Sequence, residues 1–182
     1  MEKTAVRIDE DFRKMLPQLA AEELAELEAS ILSEGIREPL VVWRETGILI
    51  DGHNRLKIAE KHDLPYQTQE LAFTDREAVR DWIINNQLGR RNLTPEAFAL
   101  LLGMKYNREK QQGKRTDLTS RQSGDKSSAS ERIAREHKVG KRTVERAGKF
   151  AEDLEAVEEV AGPEVREAVL RREKPIRRTD VA

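Results

Sequence analysis

The sequence predicts a small α/β (α+β) domain followed by an all-α domain, and three observations lead to this prediction. Short apolar runs rich in β-branched residues alternate with helix-like segments in the first half of the chain. Helical spacing dominates the second half, and a Gly-, Ser- and Gln-rich stretch interrupts it. We therefore predict domains over residues 1–92 and 93–182, each with a modest core.

The first domain begins with a helix followed by two strands. The stretch AEELAELEASILS, residues 21–33, has leucine and isoleucine at helical spacing and acids in its first turn, where the helix dipole favours them. Gly35 follows at the position that glycine prefers after a helix. The runs PLVVW and GILI, separated by the polar RETG, predict two strands joined by a turn.

A helix, a strand and a further helix complete this domain. NRLKIAEKHDL reads as a helix that Pro65 stops, and YQTQELAF contains a short strand. DREAVRDWIINNQ is helical, with Val79, Trp82 and Ile83 on one face. The order is helix, strand, strand, helix, strand, helix, which is typical of a small α/β or α+β domain.

The second domain opens with a well-marked helix start. Thr94 is placed as N-cap, Pro95 as the first helical residue and Glu96 in the first turn. Residues 111–128, QQGKRTDLTSRQSGDKSS, lack apolar periodicity and predict a flexible linker or exposed loop.

The stretch SERIAREHKVGKRTVERAGKF predicts a helix-turn-helix over about residues 130–150. A small residue lets the two helices approach and apolar residues recur at set positions, as supplied by Ile133, Ala134, Val139, Val144 and Ala147. Lys138 occupies the turn position usually given to glycine, a conformation that lysine adopts at some cost. An ordinary helical hairpin with a charged outer face is the alternative.

Charge favours DNA as the partner of this motif. Residues 105–149 carry 14 Lys and Arg against 6 Asp and Glu, while the segments on either side are net acidic. Such a basic segment is expected of a nucleic-acid contact region. The second helix would present its N-terminal end to the major groove of double-stranded DNA, and the candidate contacts are Lys141, Arg142, Thr143, Arg146 and Lys149.

Composition excludes several other classes. The chain has no cysteine, so disulfides, thiolate zinc sites and a cysteine nucleophile are excluded. No apolar run reaches the length of a membrane span, and the N-terminus lacks the order of a signal peptide. We therefore expect a cytoplasmic protein without a membrane partner.

The motif IDGHNR, residues 50–55, lies between a predicted strand and a predicted helix. Gly52 would form the turn, leaving the amides of His53, Asn54 and Arg55 at the helix N-terminus as an anion site. Arg55 adds a forked cation suited to phosphate, and Asp51 could cap the helix or orient His53. The motif suits phosphate binding better than nucleophilic catalysis, because no serine or cysteine stands beside the histidine. His53 remains a candidate general base or metal partner.

These segments in order resemble the N-terminal and central domains of ParB proteins, which load onto DNA and segregate plasmids and chromosomes. The matching segments are LAELEASILSEGIREPLVVW, ILIDGHNRLKIAEKHDLPY and NNQLGRRNLTPEAFA, followed by the helix-turn-helix, about residues 15–150 in all. The resemblance implies the fold shared by ParB, sulfiredoxin and a free-serine kinase. It also implies binding of CTP, or another nucleoside triphosphate, with magnesium over the glycine turn.

By matching position, the resemblance assigns Gly52 and Arg55 to the ParB phosphate box, and Gly35 and Pro39 to the segment near the base pocket. It assigns Asn86, or Asn85 in a register shifted by one residue, and Arg90 to the third motif. His53 stands where ParB carries a glutamate and the kinase relatives carry a histidine. The family dimerises through a C-terminal domain for which few residues remain, so a homodimer would use other surfaces.

Three functions stay open at this stage. The first is a ParB-like DNA-binding protein with a nucleotide-binding domain that acts in partition or transcriptional regulation. A plasmid or another mobile element is one candidate for the DNA that encodes it. The second is an enzyme in which DGHNR serves phosphoryl transfer or hydrolysis, such as a weak CTPase. The third is a scaffold that has kept the fold and lost the ligand.

Overall fold

The computed structural model describes residues 6–16, 19–90, 93–116 and 127–170, with the backbone alone for residues 113–116. The chain divides into two compact units, Met1–Ile83 and Ile84–Ala182. The boundary predicted between residues 92 and 93 adjoins residues outside the described ranges. None of the described helices combines the length and apolar character that a bilayer crossing requires.

The first unit alternates helices with three strands, and its last helix continues past the division into the second unit. The elements are α1 (Glu10–Lys14), α2 (Ala21–Glu34), β1 (Leu40–Trp43), β2 (Ile48–Asp51), α3 (His53–Lys61), β3 (Thr68–Leu71) and α4 (Arg76–Leu88). From α2 to α4 this is the order that the sequence predicts. The left-handed Gly35, with φ of 76°, ends α2 as expected.

The sheet has β1 at its centre and the strand order β2-β1-β3. β1 and β2 form an antiparallel hairpin in which Val42 pairs with Leu49, and β1 runs parallel to β3 with Leu40 opposite Thr68. Every residue of β1 is buried, because a central strand is covered on both faces. Arg7 bridges to Ile48 and covers the outer edge of β2.

One small core joins the hairpin to α3. Its buried members are Leu40, Val42, Leu49 and Leu56, with Val6 and Tyr66 packed against them. Leu56 lies one turn into α3, so this cluster fixes the start of that helix relative to the end of β2.

The helix α1 was not predicted, and side-chain contacts hold it. Asp9 caps it, accepting hydrogen bonds from the amides of Asp11 at 3.1 Å and Phe12 at 3.3 Å. Arg76 Nη1 donates to Asp9 Oδ2 at 2.7 Å, and the guanidinium lies 4.6 Å from the centre of the Phe12 ring. A five-residue helix needs such tertiary support, since short helices are marginal alone.

The second unit is helical beyond α4. Its elements are α5 (Pro95–Thr116), α6 (Ala129–Glu136), α7 (Lys141–Ala161) and α8 (Pro163–Leu170). Thr94 caps α5 as predicted, accepting from the amide of Ala97 at 3.1 Å. The helix continues to Thr116, six residues into the predicted linker, because the lysine and glutamines there favour a helix. Residues 117–126 of that linker lie outside the described ranges.

A close crossing of α5 and α7 organises the second unit. A Cβ on Gly103 would lie 2.0 Å from the carbonyl oxygen of Ala147, so only glycine permits this approach. Asn107 Nδ2 donates to the carbonyl oxygen of Gly148 at 2.9 Å beside it. A hydrophobic cluster from α5, α7 and α8 continues the contact, formed by Leu100, Ala151, Leu154 and Val169.

The hairpin of α6 and α7 has the burial that the sequence predicts. Ile133, Ala134, Val144 and Ala147 are buried, and Val139 in the turn is half-buried. Lys138 adopts the left-handed conformation with φ of 55°, at a cost of about 1–2 kcal/mol for an L-residue. The apolar residues named from the sequence are therefore the ones that this hairpin buries, while its being a DNA-binding helix-turn-helix stays a prediction.

We expect Gly103→Ala to destabilise the second unit by about 1–3 kcal/mol, since the added methyl meets main chain that cannot rotate away. Urea unfolding followed by circular dichroism measures this change. Gly89→Ala is the matched control, because its Cβ would lie 3.5 Å from the nearest atom, an ordinary contact. Equal stability of the two variants would contradict the close crossing.

Candidate functional site

The glycine turn of IDGHNR connects β2 directly to α3. Gly52 is the N-cap of α3 in the left-handed conformation, with φ of 96° and ψ of 21°. A Cβ at this position would lie 2.7 Å from Leu40 Cδ2 and 3.1 Å from Arg55 Nη2. Both the backbone angle and the space therefore require glycine.

The amides after Gly52 form the start of an anion-binding geometry. The first bond of the helical ladder runs from the amide of Leu56 to the carbonyl of Gly52, at 2.9 Å. The amides of His53, Asn54 and Arg55 precede that bond, and the N-cap residue Gly52 has no side chain that could cap them. The capping role considered for Asp51 from the sequence stays a prediction.

Arg55 folds back over the end of β2. Its Nη2 donates to Asp51 Oδ2 at 3.2 Å and to the carbonyl oxygen of Pro39 at 3.3 Å, and its Nη1 donates to Glu38 Oε2 at 3.1 Å. The Asp51 and Arg55 side chains are 11% and 16% exposed, whereas that of Glu38 is 77% exposed. The cation assigned to phosphate therefore already neutralises a buried carboxylate, and Glu38 is the exposed member of this group.

His53 lies against the same turn with its ring enclosed. Neither ring nitrogen has a hydrogen-bond partner among the described residues, and both atoms are buried. Burial lowers the pKa of His53, and the charge of Asp51 opposes this without overcoming it. Asp51 therefore does not orient His53 through a hydrogen bond, and the imidazole is neutral at neutral pH.

The other residues assigned to the nucleotide lie on several elements. Asn54 is half-buried in the first turn of α3, and Gly35 has open space around the position of a Cβ. Asn86, half-buried near the end of α4, and the exposed Arg90 belong to the second unit. In the described ranges no group of three His, Asp or Glu residues could hold a metal ion.

The N-terminus of α7 is the second candidate site. Gly140 is its N-cap without a side-chain hydrogen bond, and its first turn contains no acid. Thr143, Arg142 and Arg146 are exposed, and neither arginine has an ion-pair partner among the described residues. Two arginines four residues apart on a helix share one face, so both guanidinium groups point to the same side of α7.

The two lysines assigned to DNA are placed differently. Lys141 Nζ lies 3.0 Å from Glu131 Oε1, and Lys149 Nζ lies 3.6 Å from Asp153 Oδ1. Hydrogen bonding and attraction to Glu131 raise the pKa of Lys141. Glu131 itself was missed, although the sequence Ser128-Ala-Ser-Glu131 has the spacing of a capping box that would have marked it.

We expect Gly52→Ala to destabilise the first unit by about 1–3 kcal/mol, because the methyl meets the side chain of Leu40 and the left-handed backbone is strained. Thermal or urea unfolding measures this loss of stability. Leu40→Val removes the crowding Cδ2, so the double variant should lose less stability than the sum of the single variants. Simple additivity would contradict the contact.

Comparisons with known proteins identify the fold. No protein-family model and no curated protein matches the chain. Among solved structures, a pNOB8-like ParB N-domain superposes with a TM-score of 0.57 and 18% identity, over 96% of this chain and 68% of that chain. A second form of the Pnob8-like ParB N-domain gives 0.58 and 18% identity, over 94% and 72%. The chain therefore has a fold similar to that of ParB N-domains.

Proposed function

We propose that this chain is a ParB-like DNA-binding protein that contacts double-stranded DNA through the first turns of α7. The observation that carries the proposal is the pair Arg142 and Arg146, exposed on one face and without ion-pair partners among the described residues. Guanidinium forks of this kind bind phosphates or guanine edges in a major groove.

Three further features support a polyanion at this surface. The uncapped N-terminus of α7 directs free amides and the positive end of the helix dipole to the same region. The first turn of α7 has no acid that would repel phosphate. The segment from residue 105 to residue 149 has a net charge of +8, from 14 basic and 6 acidic residues. The similarity to ParB N-domains favours a role in partition or transcriptional regulation.

We expect Arg142→Ala and Arg146→Ala each to weaken binding to a mixed-sequence DNA duplex. The slope of the logarithm of the association constant against the logarithm of salt concentration should become shallower by about 0.9 for each phosphate that is no longer neutralised. Fluorescence anisotropy titrations at several salt concentrations measure both effects. Arg37→Ala is the control, because Arg37 is exposed in the first unit and paired with Glu34. An equal weakening in all three variants, or no salt-dependent binding, would contradict the proposal.

We also propose that the glycine turn binds the phosphates of a nucleoside triphosphate. The amides that follow the left-handed N-cap Gly52 supply donors, and the resemblance to ParB favours CTP with magnesium. Magnesium would enter bound to the phosphates of the nucleotide, a common arrangement for this ion. The buried ring nitrogens of His53 are closed to water and substrate, so we propose no catalytic role for them.

Arg55 can join that site by exchanging its exposed partner. Its contacts with Asp51 and Pro39 lie inside the fold, whereas Glu38 is largely exposed and free to leave. A phosphate replacing the Glu38 carboxylate would keep Nη1 paired and leave the neutralisation of Asp51 intact. Glu38 is thus an intramolecular competitor for the phosphate.

We expect one of the four ribonucleoside triphosphates to raise the melting temperature of the protein, since a ligand that binds the folded state stabilises it. Glu38→Gln should enlarge the rise at equal nucleotide concentration, because it removes both the competitor and a like charge. Differential scanning fluorimetry with and without magnesium measures the melting temperature. Glu34→Gln, which changes an exposed acid on α2, serves as control. No rise with any triphosphate in either protein would contradict nucleotide binding.

A further inference from the structure

Glu131 connects the starts of the two helices of the hairpin. Its Oε2 accepts from the backbone amide of Ser128 at 2.9 Å, while its own amide donates to Ser128 Oγ at 3.4 Å. These reciprocal bonds form a capping box at the start of α6. Its Oε1 accepts from Lys141 Nζ at 3.0 Å, and Lys141 is the first residue of α7. One carboxylate thus holds both helix starts.

This contact changes the charge that the surface offers. The backbone bond to Ser128 and the ammonium of Lys141 lower the pKa of Glu131, so the carboxylate is ionised at neutral pH. Lys141 is therefore locally compensated, while Arg142 and Arg146 have no such partner within the described ranges. Glu131 and Lys141 are each about half exposed, so the pair lies at the surface where a phosphate of DNA could approach it.

We infer that Glu131 is a positioning residue that limits the affinity of this surface for the DNA backbone. It keeps Lys141 directed to the start of α6 and places a negative charge where a phosphate would otherwise bind. Sequence-independent affinity depends on the number of phosphates neutralised, whereas base readout depends on contacts to base edges. Withholding one cation therefore lowers the part of the affinity that does not depend on DNA sequence. The inference rests on the proposed function.

The variant Glu131→Gln distinguishes the ion pair with Lys141 from the capping box with Ser128. Glutamine also serves in a capping box, so the start of α6 is preserved while the negative charge is removed. We expect the variant to bind a mixed-sequence DNA duplex more tightly than the wild-type chain. The slope against salt should steepen by about 0.9, because Lys141 then contacts one additional phosphate. Anisotropy titrations measure both quantities, and the melting temperature verifies that the hairpin stays folded.

Two further variants test whether the tighter binding comes from Lys141. The double variant Glu131→Gln/Lys141→Met should return to the shallower slope, because the released cation is absent. Glu152→Gln removes the same charge from an exposed position further along α7 and should leave the slope at the wild-type value. An unchanged slope in Glu131→Gln, or a steeper slope that persists in the double variant, overturns the inference.

The same titrations separate this inference from the proposed function. Salt-dependent binding by the wild-type chain with an unaltered slope in Glu131→Gln overturns the role of Glu131 alone. Absence of binding by the wild-type chain and by Glu131→Gln overturns both. Tighter binding and a steeper slope in Glu131→Gln, both abolished in the double variant, support both.

Discussion

The buried carboxylate of Asp51 is the constraint on which the first unit depends. Asp51 ends β2 at 8% exposure, and an ionised carboxylate so far from water needs a counter-charge and hydrogen bonds. Arg55 supplies them from one turn into α3, which fixes the angle at which the helix leaves the strand. Gly52 must then be left-handed and without a side chain. Breaking such a pair typically costs about 3–5 kcal/mol, so the strand, turn and helix form one unit.

Much of the fold could be predicted from local patterns. The strands β1 and β2 follow from β-branched runs on either side of a polar turn, and Thr94 and Gly35 mark helix ends. The helix α1 could not be predicted from local patterns, because its stability comes from Arg76, which lies more than sixty residues after it in the chain. The length of α5 was underestimated for the opposite reason: polar residues that lack apolar periodicity can still extend a helix that is already anchored by its packing.

The sequence predicted which residue types make up the candidate sites, but only partly whether their charges are free to bind a ligand. Sequence spacing correctly placed Arg55 beside the turn and Arg142 beside Arg146 on one helix face. It gave no indication that Arg55 faces Glu38, seventeen residues earlier, or that Lys141 faces Glu131, ten residues earlier. Counting basic residues along a segment treats all of them as free charges. Only the tertiary structure separates those already paired from those that can bind a ligand.

The two proposed sites share this arrangement. In each, an exposed glutamate forms an ion pair with the cation that a phosphate would bind. Glu38 pairs with Arg55, and Glu131 pairs with Lys141. An exposed ion pair contributes little to folding stability, so stability alone does not explain why Glu38 pairs with Arg55 or why Glu131, besides capping α6, also pairs with Lys141. An intramolecular carboxylate does set a threshold, since an external phosphate must displace it before gaining the cation. At Arg55 a triphosphate passes that threshold more easily than an isolated anion, which converts a general attraction for negative charge into selectivity.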